Sequence, residues 1–430
     1  MCATNLGLCV KIIRRTESSK FTIVSDSYAS QAFELDVSRA ADDFSSAAAC
    51  TSLKPASPPA IWAWAHYPNV VLTRLYKLFS LSAFGAEACD LVKVNGFDMA
   101  IASDLPQASG LSSSSALVIA TFLAFYFAND LHENELFTSQ IQSREDLCQF
   151  LGCLENGCEF KNFAAGHGVG THGGSQDHVA IFASAENQIH VNSYAPVRFL
   201  RSVAFPSSWC FVVAVSGVLA EKTSGSKEQF NNLVAVGKRG KHVIEGLVYK
   251  TYASLGEAFE NEKVVKHVCA DGFDAAVVSE GDTASTEKDD WVTRSFNRKT
   301  EARRRLVQFY KETHQYVDGI CDAIETSDVD AVNEFSAASM RLATDVLQNQ
   351  IEETIALVNI ANGLGAHGAS AFGAGFGGAV WAIVDSAQAE TFATQWLDEY
   401  LRKETCDFSA RQRASVHVLR PGPGVCWVQP

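Results

Sequence analysis

The sequence predicts a mixed α+β fold without repeated β-α-β units, and three observations carry that prediction. Residues 8 to 35 hold the strand-like runs VKIIRR and FTIVS. The segment Leu117, Val118, Ile119, Phe122, Leu123 and Phe125 is almost continuously apolar, which marks a helix buried on all sides. Five glycines fall within the eleven residues Gly368 to Gly378 and lead straight into an apolar strand, Ala379 to Val384.

The remaining elements follow in order. The Ala/Ser/Pro-rich stretch Ala47 to Pro59 reads as a loop, and a helix follows near Asn69 to Leu81. Phe97, Met99, Ile101 and Leu105 supply a strand that enters PQASGLSSSSA, Pro106 to Ala116. Beyond the buried helix lie a second helix through Leu147 to Glu159, the loop GHGVGTHGGSQDH, and strands around Ile189 to Val191, Val197 to Leu200 and Cys210 to Ser216. The second half opens with a helix over Lys222 to Leu247 and crosses a polar, exposed loop from Ser279 to Asp290. Helical spacing then recurs over Arg303 to Ile324, Asp330 to Leu347 and Glu352 to Gly363. No repeat of fixed period is present.

A chain of 430 residues, 47% hydrophobic and 20% charged, can build one large or two ordinary domains with substantial cores. Its net charge of -14 disfavours nonspecific binding to nucleic acid or to anionic membranes and favours a small-molecule partner. The start, MCATNLGLCVKIIRR, lacks an apolar core followed by a cleavage site, and no segment approaches the roughly 18 apolar residues of a membrane span, so a cytoplasmic protein is expected. The twelve cysteines are scattered, and Cys148, Cys153 and Cys158 recur every five residues. That spacing fits neither a zinc site nor a compact disulfide framework, so they read as reduced, structural thiols.

The serine loop carries the first chemistry. Gly110, Leu111 and the four serines Ser112, Ser113, Ser114 and Ser115 precede the N-terminus of the buried helix, where free N–H groups and the helix dipole favour an anion. One cap needs one serine, and four exceed that need. The loop lacks the Gly-Lys-Ser/Thr ending of a Walker loop, so it is a different phosphate cradle, with hydroxyls suited to Mg2+. Gly373, Gly375, Gly377 and Gly378 would let backbone approach a neighbouring loop or a triphosphate. His167, His172 and His178 are spaced by five and six residues, do not share a helix face, and have no accompanying cysteine pair.

Together these motifs resemble a GHMP kinase, and within that superfamily the galactokinases and their sugar-kinase relatives. PQASGLSSSSA is similar to the family's phosphate loop, Pro-x-x-x-Gly-Leu-Ser-Ser-Ser-x-Ala, beginning at Pro106. GASAFGAGFGGAVW is similar to its C-terminal glycine motif. The resemblance covers nearly the whole chain and implies a ribosomal S5 domain 2-like N-terminal domain over 1–205 and a ferredoxin-like C-terminal domain over 206–430, with ATP and sugar held in a cleft. In HGGSQDH, Asp177 takes the place of the aspartate that orients or deprotonates the sugar hydroxyl, with Gly173 and Gly174 beside the substrate. Glu155 resembles the Mg2+ carboxylate, paired with Ser113 or Ser114. Without the resemblance, Asp177 is an ordinary turn former and Glu155 an ordinary helix residue.

The implied activity is ATP- and Mg2+-dependent phosphorylation of a monosaccharide, galactose first, by a monomer or weak homo-oligomer. Two departures bear on the acceptor. The family's first motif, which supplies sugar-binding carboxylates, has no counterpart. NLGLCVKIIRR resembles the strand that follows it, as in a truncated chain or a member without those contacts. Where galactokinases often carry a sugar-contacting tyrosine, AEKTSGSKEQFNN offers Phe230 before Asn231, and a lost hydroxyl removes a hydrogen bond worth about 1 kcal/mol. Arabinose, fucose, a uronic acid or a heptose are alternative acceptors, and a non-catalytic sugar or nucleotide sensor is an alternative of another class. Mevalonate or homoserine fits less well, because HGGSQDH and NQIEET look more like the sugar branch.

Overall fold

The computed structural model describes residues 1–26, 32–37, 64–80, 94–106, 109–171, 173–219, 227–269, 302–373, 375–404 and 407–426. The loops expected at Ala47 to Pro59 and Ser279 to Asp290, the helix end at Leu81, residues 222–226 and His172 lie outside them. Two compact units emerge. One comprises Ala3–Ala108, Ser112–Ser184 and Pro423–Pro430, the other Met1–Cys2, Ser109–Leu111 and Ala185–Gly422.

In the amino-terminal unit, strands β1 (Leu8–Thr16), β2 (Lys20–Ser25) and β3 (Phe33–Asp36) precede helix α1 (His66–Ser80) and strand β4 (Gly96–Ser103). The sheet order is β1-β4-β2-β3: β4 is antiparallel to β1 and parallel to β2, while β2 and β3 are antiparallel. The parallel pair needs a long crossover, and α1 lies within it. Helix α1 starts three residues earlier than its apolar pattern suggests, because Pro68 is tolerated in a first turn.

Helix α2 (Ser113–Ala128) follows the serine loop, then α3 (Glu135–Gln140), α4 (Arg144–Asn156) and α5 (Gln176–Ala183). The bounds of α4 differ from the expected 147 to 159 because local chemistry outweighs apolar spacing. The Ser143 hydroxyl accepts from Asp146 N at its start, and Gly157, at φ 76°, turns the chain out at its end.

Aromatic packing ties these elements into one core. Phe21 of β2 meets Phe97 of β4 edge-on at 4.9 Å and stacks on Phe125 of α2 at 6.4 Å. Phe79 of α1 contacts Phe125 and Phe163, and Phe150 of α4 packs on Phe163 at 4.9 Å. Phe21, Phe97, Phe125, Phe150 and Phe163 are all at most 1% exposed, and burying each contributes about 2–3 kcal/mol. As expected, α2 is largely buried: Leu117, Val118, Ile119, Phe122 and Phe125 are in the core, and Phe127 near its end is exposed.

The carboxyl-terminal unit begins with a two-stranded ribbon, β5 (Gln188–Tyr194) and β6 (Val197–Ala204), and strand β7 (Trp209–Val215). A helical layer follows: α6 (Lys227–Val248), α7 (Leu255–Phe259), α8 (Glu262–Cys269), α9 (302–311), α10 (Val317–Thr326) and α11 (Val329–Leu342). Two expected continuous helices are locally rewound into π-helical turns, at Glu312–Tyr316 between α9 and α10 and at Ala343–Leu347 after α11. Apolar spacing cannot distinguish such a turn from α-helix, since a single added residue leaves most of the stripe in place.

Helix α12 (Glu352–Gly363), strands β8 (Gly368–Ala371) and β9 (Ala379–Asp385), helix α13 (Ala389–Leu401), helix α14 (Phe408–Arg413) and strand β10 (Ser415–Leu419) complete the unit. The four strands form an antiparallel sheet in the order β10-β7-β9-β8. Taken with α12 and α13, this is the β-α-β-β-α-β connection of a ferredoxin-like fold. Strand alternation separates two cores. Cys210, Val212, Ala214, Val380, Ala382 and Val384 face Leu357, Val358, Trp396 and Tyr400, whereas Trp209 and Ile383 pack with Ile324 and Val332. The buried Trp396 indole donates to Leu357 O at 2.9 Å, and Tyr400 OH to Ser216 O at 2.8 Å, so neither polar tip is orphaned.

The cysteines among the described residues with contacts resolved, including Cys9, Cys148, Cys153, Cys158, Cys210 and Cys321, are free thiols. Burial pushes the Cys148 thiol up to about 12 and the Cys153 thiol up to about 11, so both stay protonated at neutral pH. Iodoacetamide at pH 8 is therefore expected to label exposed Cys9 and Cys158 and to spare Cys148 and Cys153 in the native protein, read by peptide mass mapping. Equal labelling of Cys148 and Cys9 would contradict this assignment.

Candidate functional site

In the amino-terminal unit, three side chains from three helices converge. Glu155, near the end of α4 and 3% exposed, accepts a hydrogen bond at Oε2 from Ser115 Oγ of α2 at 2.9 Å. The same hydroxyl lies 3.4 Å from Asp177 Oδ2, in the first turn of α5. A serine carries one proton, so Ser115 bridges two carboxylates and fully satisfies at most one. His178, 1% exposed, brings Nε2 to 3.0 Å from Glu155 Oε2. Among the described residues neither of its ring nitrogens has an aligned hydrogen-bond partner, and the contact with Glu155 is an ion pair only with a protonated imidazole.

Backbone contacts hold Glu155 in place. Arg74, on α1 and 5% exposed, donates to the carbonyls of Cys153, Leu154, Cys158 and Ala164 around the end of α4. A cation is favoured at a helix C-terminus, and these carbonyls offset its desolvation, which lowers the guanidinium pKa. Val169 N donates to Glu155 O at 2.8 Å, and Gly173 N to Asn156 Oδ1 at 2.7 Å, so the glycine-rich loop is tied to the same helix end. Gly152 lets α4 approach the start of α5: a Cβ there would lie 2.5 Å from Ser175 Oγ and 3.0 Å from Ser175 Cα.

The serine loop has two environments. Ser109, Gly110 and Leu111 group with the carboxyl-terminal unit, where a Cβ on Gly378 would lie 2.9 Å from Ser109 O. The two glycine motifs are therefore packed backbone to backbone. Ser112 is in the left-handed conformation, at φ 56°, and its side chain makes no capping bond to α2. Capping thus does not explain it, and the N-terminus of a 16-residue helix is left without a side-chain cap. Ser113 and Ser114 occupy the first turn, partly exposed. Pro106 lies in the segment after β4.

Gly173 and Gly174 are exposed just before Asp177. Gly373, Gly375 and Gly377 lie in the β8–β9 loop with φ of 55°, 82° and 127°, and residue 374 lies outside the described residues. Gly378 N donates to Val218 O at 3.0 Å and Ser216 N to Gly378 O at 2.9 Å, which fixes the loop's exit to the end of β7. Phe230, on α6, is 8% exposed and packs on Phe376 of that loop.

The sequence pointed to Asp177 as the base and to Glu155 paired with Ser113 or Ser114; the structure brings the Ser115 hydroxyl to both Glu155 and Asp177. Sequence reading gave no role to Arg74 or Gly152 and weighed His178 only as a metal ligand. His178 directly follows Asp177 on α5, yet its contact with Glu155 had no signal in the sequence. Arg74 and Gly152 carry no local signal.

Comparison with known proteins agrees with this architecture. The domain described as "GHMP kinases N terminal domain" matches residues 72–156, and "GHMP kinases C terminal" matches residues 321–403. The chain thus matches the amino- and carboxyl-terminal family models of the GHMP kinases and is similar to galactokinases. A galactokinase of Pyrococcus furiosus is 31% identical over 122 residues, which is 28% of this chain and 33% of that protein; the match thus spans about a third of that relative's length. Among solved structures, Lactococcus lactis galactokinase complexed with galactose superposes with a TM-score of 0.63 at 17% identity, covering 98% of this chain and 87% of that one. This likeness establishes the fold alone. L. major mevalonate kinase in complex with R-mevalonate gives a TM-score of 0.49 at 13% identity, covering 99% and 89%. Among the described residues, no helix is long and apolar enough to cross a membrane.

Replacing Arg74 with Met leaves several buried carbonyls unsatisfied and is expected to cost about 3 kcal/mol or more. Gly152→Ala, which forces Ser175 and α5 outward, should cost about 1–3 kcal/mol. Both are measurable by urea denaturation, and an unchanged midpoint for either variant would refute the corresponding packing argument.

Proposed function

We propose that this protein transfers the γ-phosphoryl group of ATP to a hydroxyl of a monosaccharide, galactose foremost, as a cytoplasmic enzyme. The observation that carries the reading is the convergence of Ser115, Glu155 and Asp177 beside the N-terminus of α2, with Ser115 and Glu155 inside the segment that matches the GHMP kinase N-terminal domain and Asp177 beyond it. Phosphoryl transfer is mainly positioning and charge stabilisation, and the reading assigns residues to both.

Asp177 orients the acceptor hydroxyl and takes its proton. Its place in the first turn of α5 brings its carboxylate to 3.4 Å from the Ser115 hydroxyl. Gly173 and Gly174 border the acceptor without side chains to obstruct it. Gly110, Leu111 and Ser112–Ser115 present N–H groups, and the serines hydroxyls, to the phosphates, with Pro106 opening the loop as a donor-less residue of fixed φ, while Gly373, Gly375 and Gly377 shape the nucleotide-side loop. The oxygen-only set of Glu155 and the loop hydroxyls of Ser113, Ser114 and Ser115 fits a hard cation, so Mg2+ is assigned there and would offset phosphate charge when bound. The burial of Glu155 supports this assignment, since a carboxylate so desolvated needs positive charge nearby.

The acceptor is the finer part of the proposal. Galactose is favoured by the P. furiosus galactokinase match. A coupled ADP-release screen over galactose, arabinose, fucose, glucuronate, galacturonate and heptoses should give turnover with one of them. Asp177→Asn should lower that turnover by about 100-fold to 10,000-fold while leaving ATP binding nearly intact. Full activity in the variant would refute the base assignment. Folded wild-type protein inactive on every sugar, yet binding sugar or ATP, would point instead to a sensor.

A further inference from the structure

Between Gly375 and Gly377, the β8–β9 loop holds a bulky residue in a conformation that favours glycine. Phe376 has φ 58°, in the left-handed region. Such a residue persists only where its surroundings hold it. Two contacts do so. Phe376 N donates to Asn349 O at 2.6 Å, and its ring meets Phe230 of α6 edge to face, with centroids 5.4 Å apart and planes at 74°.

Asn349 belongs to the NQIEET segment and is 3% exposed. It is delivered to the loop by an unusual backbone. The π-helical turn Ala343–Leu347 ends at Gln348, itself left-handed at φ 51°, and the chain then drops Asn349 beneath Gly375. Position 375 is glycine for that reason: a Cβ there would run into Asn349 O and lie 2.8 Å from Asn349 Cγ. Phe230 is likewise buried, at 8% exposure, with its ring spent on Phe376.

We infer that Phe230 and Asn349 are positioning residues that hold the Phe376 turn in its left-handed form, and so keep the Gly375–Gly378 backbone set for the nucleotide. The inference rests on the kinase reading for the word nucleotide, and on the geometry alone for the hold itself. It gives Phe230 a role other than the sugar contact suggested by its place in QFNN. If the prop is removed, Phe376 relaxes, the competent loop conformation becomes a minor one, and ligand affinity falls in proportion to its population.

The test uses the full chain and two readouts: hydrogen exchange at the Phe376 amide without ligand, and ATP affinity by calorimetry, with sugar KM measured alongside. Phe230→Ala should speed exchange at Phe376 by about tenfold, leave the amides of Trp381–Ile383 unchanged, and weaken ATP about tenfold with sugar KM unaltered. Phe230→Tyr, which keeps the ring, should behave as wild type. Phe376→Gly should weaken ATP similarly, and adding Phe230→Ala to it should change nothing more. Should Phe230→Ala fail to fold, Phe230→Leu serves, because it also removes the ring.

A raised sugar KM with unchanged exchange and ATP affinity would overturn the inference and make Phe230 a sugar contact. Unchanged values throughout would reduce it to packing. Wild-type protein that binds no ATP would sink the kinase reading and the nucleotide role with it, while the exchange comparison would still decide whether Phe230 holds the turn.

Discussion

A carboxylate removed from water governs the amino-terminal unit. Glu155 is almost fully buried, and an ionised carboxyl in that position requires hydrogen bonds and positive charge close by. The helices around it supply polar partners. Ser115 of α2 donates to it, His178 of α5 brings an imidazole to the same oxygen, and Arg74 of α1 grips the backbone on either side. Three helices are thereby locked at fixed positions, and the aromatic core between them is packed to match. Removing any one partner strands a buried polar group, so the cluster is held as a set.

The same geometry sets the site's chemistry. Ser115 has one proton for two carboxyl groups, and both acidic side chains gather near the start of α2, whose N-cap side chain makes no capping bond. The acidic side chains suit a hard cation, and the helix end suits a phosphate. A phosphate accompanied by its metal ion satisfies both, which is the physical reason a kinase reading accounts for features that capping and turn formation leave unexplained.

The carboxyl-terminal unit relies on a different constraint. Its ferredoxin-like sheet is ordinary in packing, with alternating residues feeding two cores, but the β8–β9 loop is held under backbone strain. Loops that must meet a ligand without reorganising are often fixed this way, with the surroundings absorbing the cost. Here the surroundings are a π-helical turn that delivers Asn349 and a helix that delivers Phe230. Both features lie far along the chain from the glycines they hold.

Much of this protein was legible in its sequence because the signals are local. Strand alternation, the apolar run of α2, and the two glycine-bearing loops each occupy a short window, and the elements that carry these signals lie near their patterns, while the bounds of α1 and α4 and the two π-helical turns do not follow from apolar spacing. The spacing of PQASGLSSSSA and GASAFGAGFGGAVW carried the resemblance to GHMP kinases, and the expectations for Asp177 and Glu155 followed from that resemblance. What only the tertiary structure decided was partnership. Ser115 and Glu155 are 40 residues apart, and Arg74 reaches a carbonyl 84 residues away. Which serine meets Glu155, why Gly152 has no side chain, what His178 touches and what holds Phe376 all depend on how helices pack. A one-dimensional pattern records each residue's preference for burial or for turns, and packing alone selects its neighbours.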